Sequence, residues 1–145
     1  MSGGKAFLDT NILVYLYSSK EPEKRDMCIV AVERYTRIVS TQTLNEFSNV
    51  LFRKQGLTPA QVRTHIQNVK QLAEVKNIDI ATIDRAITLK DRYGYSYFDS
   101  LMIASALDSG CDVLFSEDMS NGQTIEGQLR IINPFKDTVL YFSKR

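Results

Sequence analysis

Short apolar runs alternate along the chain with longer segments whose apolar residues recur at helical spacing. The runs that predict strands are Ala6–Leu8, Ile38–Val39, Val75–Asn77, Val113–Phe115 and Leu129–Ile132. The segments that predict helices are Glu23–Arg34, Thr43–Gln55, Thr58–Ala73, Asp79–Tyr93 and a last one from Ser96 to just before Gly110. Because strands that alternate with helices form parallel sheets covered on both faces, we expect a three-layer α/β fold in a single domain, residues 1–145.

Composition narrows the class of protein without identifying a ligand. The chain has 145 residues, 43% of them hydrophobic and 24% charged, which is near the average for a globular domain. Its formal net charge is +1, so charge gives no argument for nucleic acid binding. Cys28 and Cys111 lack metal-ligand spacing and are expected to fill the core of a reduced protein. No signal peptide or membrane-spanning run is evident, and we expect a cytoplasmic protein.

Four acidic residues fall where the predicted elements change from one type to the next. Asp9 follows the first strand and Asp118 follows Val113–Phe115, whereas Glu46 and Asp99 lie in the predicted first turns of helices. Thr10 and Asn11, next to Asp9, are candidate helix caps. In parallel α/β sheets, ligands bind beyond the carboxyl ends of the strands. We therefore expect the four carboxylates to converge in one crevice.

A cluster of carboxylates indicates a divalent cation, because like charges at short range repel unless a cation lies between them. Mg²⁺ prefers hard oxygen ligands and usually keeps several waters. Such ions lower the pKa of bound water and stabilise a phosphodiester during in-line attack. This chemistry needs no His, Cys or Ser nucleophile, which suits a chain whose one histidine is His65.

Each acid also has a structural interpretation. Thr43 with Glu46 reads as a capping box, and Ser96 with Asp99 closely resembles one. Asp118 follows Glu117 in what could be an ordinary polar turn. Asp99 is harder to explain this way, because its helix is apolar nearly all round and an ionised acid at the start of a buried helix needs a partner.

Four segments of the chain resemble the motifs of PIN-domain nucleases, and specifically of the VapC-type toxins of toxin–antitoxin pairs. The segments are AFLDTNILVY (Ala6–Tyr15), TQTLNEF (Thr41–Phe47), YSYFDSLMIASAL (Tyr95–Leu107) and CDVLFSEDMSNGQTIEGQLRIINPF (Cys111–Phe135). They occur in the family's order, and the resemblance covers essentially the whole chain. The family's acidic positions are matched by Asp9, Glu46, Asp99 and Asp118.

The resemblance implies an endoribonuclease that depends on Mg²⁺, with Mn²⁺ as a possible substitute, and that acts on RNA. It implies Asp9 and Asp99 as the most direct metal ligands, with Glu46 and Asp118 completing the site or positioning water. Asn11 and Ser116 would be supporting hydrogen-bonding groups. The family fold is a parallel five-stranded sheet between helices. Family members usually form homodimers and are inhibited by a cognate antitoxin that places a C-terminal segment across the groove.

Several other residues have both a functional and a structural interpretation. The tyrosines near the predicted site could stack on bases, although packing in the core or in a dimer interface is the commoner role: Tyr15, Tyr17, Tyr93, Tyr95 and Tyr97. The basic residues that could contact phosphates are more often part of a solvated helix face: Arg34, Arg37, Arg53 and Lys54. His65 lies in a polar helix without a second ligand nearby and is predicted to be at the surface.

Three other functions compete with the ribonuclease. A haloacid dehalogenase-type phosphatase also begins with an aspartate after its first strand, but it needs an acid two residues on, where this chain has Asn11. A non-catalytic module could keep the fold and use the groove to hold RNA or a protein. A nuclease for DNA could use the same carboxylates, since metal chemistry hardly distinguishes the sugars.

Overall fold

The computed structural model describes residues 3–136. The strands are β1 (Lys5–Leu8), β2 (Thr36–Ser40), β3 (Glu74–Lys76), β4 (Val113–Phe115), β5 (Thr124–Ile125) and β6 (Leu129–Ile132). The helices are α1 (Thr10–Tyr17), α2 (Pro22–Val32), α3 (Thr41–Arg53), α4 (Pro59–Leu72), α5 (Ile80–Tyr93) and α6 (Tyr97–Asp108). The helices and strands predicted from the sequence are confirmed, with ends that shift by at most two residues.

The strands form one sheet in the order β3-β2-β1-β4-β6-β5. Every neighbouring pair is parallel except β5 and β6, which are antiparallel. The sheet therefore has one strand more than the five that were predicted. The extra strand, β5, is two residues long, and its pairing with β6 rather than an apolar pattern of its own defines it.

Helices cover both faces of the sheet, which confirms the three-layer architecture. Alternate side chains of the central strands point to opposite faces. Phe7 belongs to a core shared with α5 and α6, whereas its neighbours Ala6 and Leu8 belong to a second core shared with the first four helices. Both cores contain fully buried side chains, so β1 is covered on each side. This burial fixes the carboxyl end of β1, where the first acid follows.

Helix α1 begins directly after β1, and Asp9 is its N-cap. Asp9 has extended backbone angles, and its Oδ1 accepts a hydrogen bond from the Thr10 amide at 2.7 Å. The expectation that Thr10 or Asn11 caps this helix is therefore wrong. A carboxylate at the N-terminus of a helix accepts from a free amide and interacts favourably with the helix dipole, which explains why the acid takes this place.

Helix α3 begins two residues earlier than predicted. Its N-cap is Ser40, whose hydroxyl accepts from the Thr43 amide, while the Thr43 hydroxyl accepts from the Ser40 amide. Thr43 is thus the third residue of the helix rather than its cap. The capping interpretation of Glu46 is wrong, because that acid lies in the second turn, where the amides are already bonded within the helix.

His65 is partly buried, so its predicted place at the surface is wrong. Its ring lies edge-on to Tyr17 and Phe47, with ring centroids 6.1 and 6.4 Å away. Helix α4 packs on α3, and this tertiary contact covers a position that looks polar in the sequence. Cys28 and Cys111 are buried and free, as predicted, and burial raises the pKa of both thiols to about 12.

No helix within residues 3–136 combines the length and the apolar character needed to cross a bilayer.

Candidate active site

A cavity of about 320 Å³ opens at the carboxyl end of the parallel strands and contains all four predicted acids. We call it the acid cavity. Its lining residues are Asp9, Thr10, Asn11, Gln42, Glu46, Asn49, Val50, Phe98, Asp99, Met102 and Asp118. No Lys or Arg is among them. The acids come from four separate parts of the chain, so the fold and not the sequence spacing brings them together.

Asp9 is the most enclosed of the four acids, with 8% of its surface exposed. Its Oδ1 accepts from the Thr10 amide at 2.7 Å, and its Oδ2 accepts from the Ser116 hydroxyl at 2.8 Å. Burial raises the pKa of Asp9 from 3.8 to about 6, and the charges of Asp99 and Glu46 add to this, although the two hydrogen bonds oppose it. The carboxylate is held in one orientation, and its negative charge is only partly compensated.

Ser116 joins Asp9 to the segment that carries Asp118. The same hydroxyl that donates to Asp9 accepts from the amides of Asp118 and Met119, at 3.3 and 3.2 Å. Asn11 makes a second link, because its Nδ2 donates to Asp118 Oδ2 at 3.0 Å. Both residues predicted as supporting groups therefore lie between the first and the fourth acid.

Glu46 is oriented by Thr10 and Gln42, and the sequence predicted neither of these contacts. Its Oε1 accepts from the Thr10 hydroxyl at 2.9 Å, and its Oε2 accepts from Gln42 Nε2 at 2.7 Å. The reverse orientation of the Gln42 amide would place two oxygens face to face, so the carboxylate fixes it. One turn separates Gln42 from Glu46 on α3, and that helical spacing was the available signal.

Asp99 lies in the first turn of α6, as predicted. The Ser96 hydroxyl accepts from the Asp99 amide at 3.2 Å and caps the helix. The rest of α6 is buried from Ser100 to Leu107, so its start can move little. Burial raises the pKa of Asp99, the charges of Asp118 and Glu46 raise it further, and the hydrogen bond with Ser96 lowers it. The acids are thus near enough to influence one another's ionisation.

Residues 116–123, which carry Asp118 and which we call the acid loop, are anchored by an ionic cluster beside that acid. Glu117 accepts from the Tyr15 hydroxyl at 2.6 Å and pairs with Lys24 at 2.7 Å. The Lys24 ammonium also lies about 5 Å from the ring centroids of Tyr15 and Phe135. This cluster ties the acid loop to α1 and α2.

Two more tyrosine hydroxyls make hydrogen bonds on the other side of this region, one within the acid loop and one just beyond it. Tyr95 donates to Gln123 Oε1 at 2.5 Å and accepts from the Ser120 amide at 3.1 Å. Tyr93 donates to Glu126 at 2.7 Å and accepts from the Glu126 amide at 2.9 Å. The hydroxyl groups of these two tyrosines stabilise the local structure, which favours a structural role over base stacking. Their role depends on tertiary contacts, and no sequence pattern pointed to it.

The basic residues considered as phosphate contacts lie outside the acid cavity. Arg37 donates to the carbonyl oxygen of Leu72 at 2.9 Å, on the side of the sheet near α4. Lys54 lines a separate cleft, together with Lys20, that shares Asn11 and Val50 with the acid cavity.

The donor set of the acid cavity fits a hard divalent cation. Carboxylate oxygens from Asp9, Glu46, Asp99 and Asp118 line it, together with the side-chain amides of Asn11, Gln42 and Asn49, and no thiol or imidazole group lines it. Within residues 3–136, no three His, Cys, Asp or Glu side chains approach closely enough to enclose a metal ion by themselves. A cation here would need water or substrate oxygens to complete its shell, which is the usual binding mode of Mg²⁺.

Comparison with known proteins agrees with the motifs and with this geometry. The family model of the PIN domain matches residues 6–120, which includes all four acids. The chain belongs to the PIN domain family. Among curated proteins, no sequence match was found.

Solved structures share this PIN fold at low sequence identity. VapC20 of Mycobacterium tuberculosis, a toxin that cleaves the sarcin–ricin loop, has 17% identity and a TM-score of 0.64, covering 78% of this chain and 91% of its own. A toxin–antitoxin complex from Klebsiella pneumoniae has 21% identity and a TM-score of 0.68, covering 89% and 97%. VapBC2 from Rickettsia felis, bound to a promoter DNA fragment, has 15% identity and a TM-score of 0.63, covering 89% and 99%.

Proposed function

We propose that this PIN-domain protein is an endoribonuclease that depends on Mg²⁺ or Mn²⁺ and acts as the toxin of a toxin–antitoxin pair. The observation that carries the proposal is the convergence of Asp9, Glu46, Asp99 and Asp118 in one cavity that no basic side chain lines. Carboxylates collected without a compensating cation are destabilising, so their collection favours a site that binds one. The similarity to a toxin that cleaves the sarcin–ricin loop supports RNA as the substrate.

The four acids would have different roles, which follow from their burial and their hydrogen bonds. Asp9 and Asp99 would bind the cation, because burial raises the pKa of both carboxyl groups and a bound cation would compensate their charge. When bound, a divalent cation activates water and stabilises the charge on the phosphate. Glu46, held by Thr10 and Gln42, would position water, and Asp118 would complete the site from the acid loop.

An antitoxin is the expected protein partner, and a homodimer in the cytoplasm is the expected form of the toxin. The similar structures from Klebsiella pneumoniae and Rickettsia felis are toxin–antitoxin complexes. A cavity lined by four acids and no base would also attract a basic side chain of a partner. Such a side chain would exclude the cation and stop the reaction.

The test is RNA cleavage by the purified protein with Mg²⁺ or Mn²⁺, with and without a chelator. Wild-type protein should cleave RNA only with the cation, and Asp9→Asn and Asp99→Asn should each abolish cleavage while remaining folded. Asp84→Asn, the same chemical change on the exposed face of α5, is the matched control and should remain active. Cleavage that survives in both cavity variants would contradict the mechanism, and preference for DNA would correct the substrate.

A further inference from the structure

Phe98 is a large apolar side chain with 62% of its surface exposed. It lines the acid cavity next to Asp99 in the chain. Other exposed apolar residues of the described part of the chain are Ile29, Phe52, Leu72, Ile80, Ile83 and Ile87, and none of these lines that cavity. Single exposed apolar side chains are common on protein surfaces, so the distinguishing feature of Phe98 is its place beside the acids, where a bound group would remove the ring from water.

The backbone of Phe98 is held by a hydrogen bond, and its ring contacts a neighbouring ring. Its carbonyl oxygen accepts from Gln42 Nε2 at 3.3 Å, from the same amide group that orients Glu46. The ring of Tyr97 lies 5.5 Å away at an angle of 65°, and Tyr97 itself packs against the core that includes α6. Because its backbone is held and one neighbouring ring contacts it, the Phe98 side chain has less conformational freedom to lose when another flat group stacks on it.

The surroundings of Phe98 favour a nucleobase over a protein partner. Its neighbours along the cavity wall are mainly polar, including Gln42, Asn49 and Asp99. A protein contact surface would offer a continuous apolar patch, such as the one that Ile80, Ile83 and Ile87 form at helical spacing on α5. A base needs one exposed ring to stack on and polar groups around it.

A second feature of the acid cavity also favours nucleic acid. The neighbouring cleft that shares Asn11 and Val50 is lined by Lys20 and Lys54, together with Glu21. Among residues 3–136, neither lysine forms an ion pair with a side chain. Two unpaired ammonium groups within reach of the acid cavity suit the phosphates of a strand that crosses it.

We propose that Phe98 is a base-binding residue, on which an unpaired nucleobase of the RNA substrate stacks beside the carboxylates. The inference rests on the proposed ribonuclease function and adds a preference for unpaired RNA. A base can stack on a protein ring only when it is unstacked from its own neighbours, so single strands and loops would be favoured over duplex.

The first experiment compares Phe98→Leu, Phe98→Tyr and Phe52→Leu in the cleavage of single-stranded RNA. Phe98→Leu removes the flat ring and should raise KM about tenfold with a smaller change in kcat, as expected for the loss of one stacked base. Phe98→Tyr keeps the ring and should retain the wild-type KM. Phe52→Leu is the matched control, because Phe52 is also exposed, at 44%, but does not line the cavity.

The second experiment measures binding without cleavage. The chain contains no Trp, so Phe98→Trp introduces a single indole whose fluorescence reports on this position. In an Asp9→Asn background, a single-stranded oligoribonucleotide should quench the emission, and the same strand in a duplex should quench it much less. The background variant prevents hydrolysis during the titration.

The outcomes separate this inference from the function on which it rests. An unchanged KM in Phe98→Leu, or no quenching by single-stranded RNA, overturns the base-binding role while wild-type cleavage still supports the ribonuclease. A Phe98→Leu variant that loses self-association or antitoxin binding but keeps its KM for RNA also overturns it. If wild-type protein cleaves no RNA, the proposed function itself is wrong.

Discussion

Asp9 and Asp118 follow neighbouring parallel strands, yet the fold holds them in different ways. Asp9 comes directly after β1, is 8% exposed and is fixed by a helix-cap amide and by Ser116. Asp118 is exposed on the acid loop and has one side-chain partner, Asn11. One half of the acid cavity is therefore built into the sheet, and the other half is assembled from loop contacts.

The contrast indicates where the site is rigid and where it can adjust. The position of Asp9 is set by the turn from β1 into α1 and by the buried Ser116 hydroxyl. The position of Asp118 depends on the anchors of the acid loop, above all Glu117 and Tyr95. We expect that substitution of Asp9 abolishes RNA cleavage and that substitutions at Asp118 or its anchors reduce the cleavage rate only in part.

The largest expected effect is a difference in kcat for RNA cleavage between Asp9→Asn and Asp118→Asn. Asp9→Asn should lower kcat for RNA cleavage by at least about 100-fold, because it removes the buried charge that binds the cation. Asp118→Asn keeps a side chain that can bond with Asn11 and should lower kcat by about tenfold. Cleavage rates at saturating Mg²⁺ test this order, and equal losses would remove the distinction between the two sides.

The next effect concerns stability without metal. The pKa of Asp9 is about 6 in the folded protein, against an ordinary value of 3.8 in the unfolded chain, so the unfolded state gives up this proton first. Stability from this group is fully present below pH 3.8 and is lost as the pH rises through about 6, in total on the order of 3 kcal/mol. In chelator, Asp9→Asn should therefore be more stable than wild type at pH 7.5.

Thermal melts across the pH range measure this effect. The advantage of Asp9→Asn in Tm should grow from about pH 4 to about pH 7 and reach several degrees. Asp84→Asn, on the exposed face of α5, should follow wild type throughout. A constant difference in Tm between Asp9→Asn and wild type at all pH values would show that folding does not raise the pKa of Asp9.

A smaller effect is expected from the acid loop. Tyr95→Phe removes the hydroxyl that accepts from the Ser120 amide and donates to Gln123. It should weaken Mn²⁺ binding by up to about tenfold, with a stability loss of about 1 kcal/mol. Tyr93→Phe is a matched control, because its hydroxyl holds Glu126, beyond the acid loop. Equal Mn²⁺ affinity in both variants would mean that Tyr95 is only structural.

The smallest effect is expected from Glu117→Gln. The variant weakens the ion pair with Lys24 but keeps a group that can bond with Tyr15. Because both charged side chains are partly exposed, the stability change should be about 1 kcal/mol or less. Chemical denaturation measures it, and a loss of several kcal/mol would show that the cluster contributes far more than a surface ion pair.

Patterns within the sequence were sufficient for five of the six strands, for most helices and for the convergence of the four acids. Apolar runs located β1 and β4, and the four motif acids do line one cavity. Buried strands and capped helices leave strong local signals, since each depends on residues close together in the chain. Because parallel strands share one carboxyl edge, residues that follow these strands are brought to the same edge of the sheet.

What the sequence did not reveal depends on contacts between distant residues. Thr43 with Glu46 fits a capping box locally, yet Ser40 provides the cap and Glu46 bonds with Thr10, 36 positions away. The tyrosine anchors and the support of Phe98 arise in the same way, because they join elements whose proximity only the fold defines. Strand β5 is too short to have a pattern of its own.

We propose that the carboxylates of the acid cavity bind a divalent cation together, and calorimetric titration with Mn²⁺ tests this most directly. Wild-type protein and Asp84→Asn should bind Mn²⁺ with the same affinity at pH 7.5, and both Asp9→Asn and Asp99→Asn should weaken binding at least tenfold. Equal Mn²⁺ affinity in all four proteins, or no binding by wild type, would contradict the account.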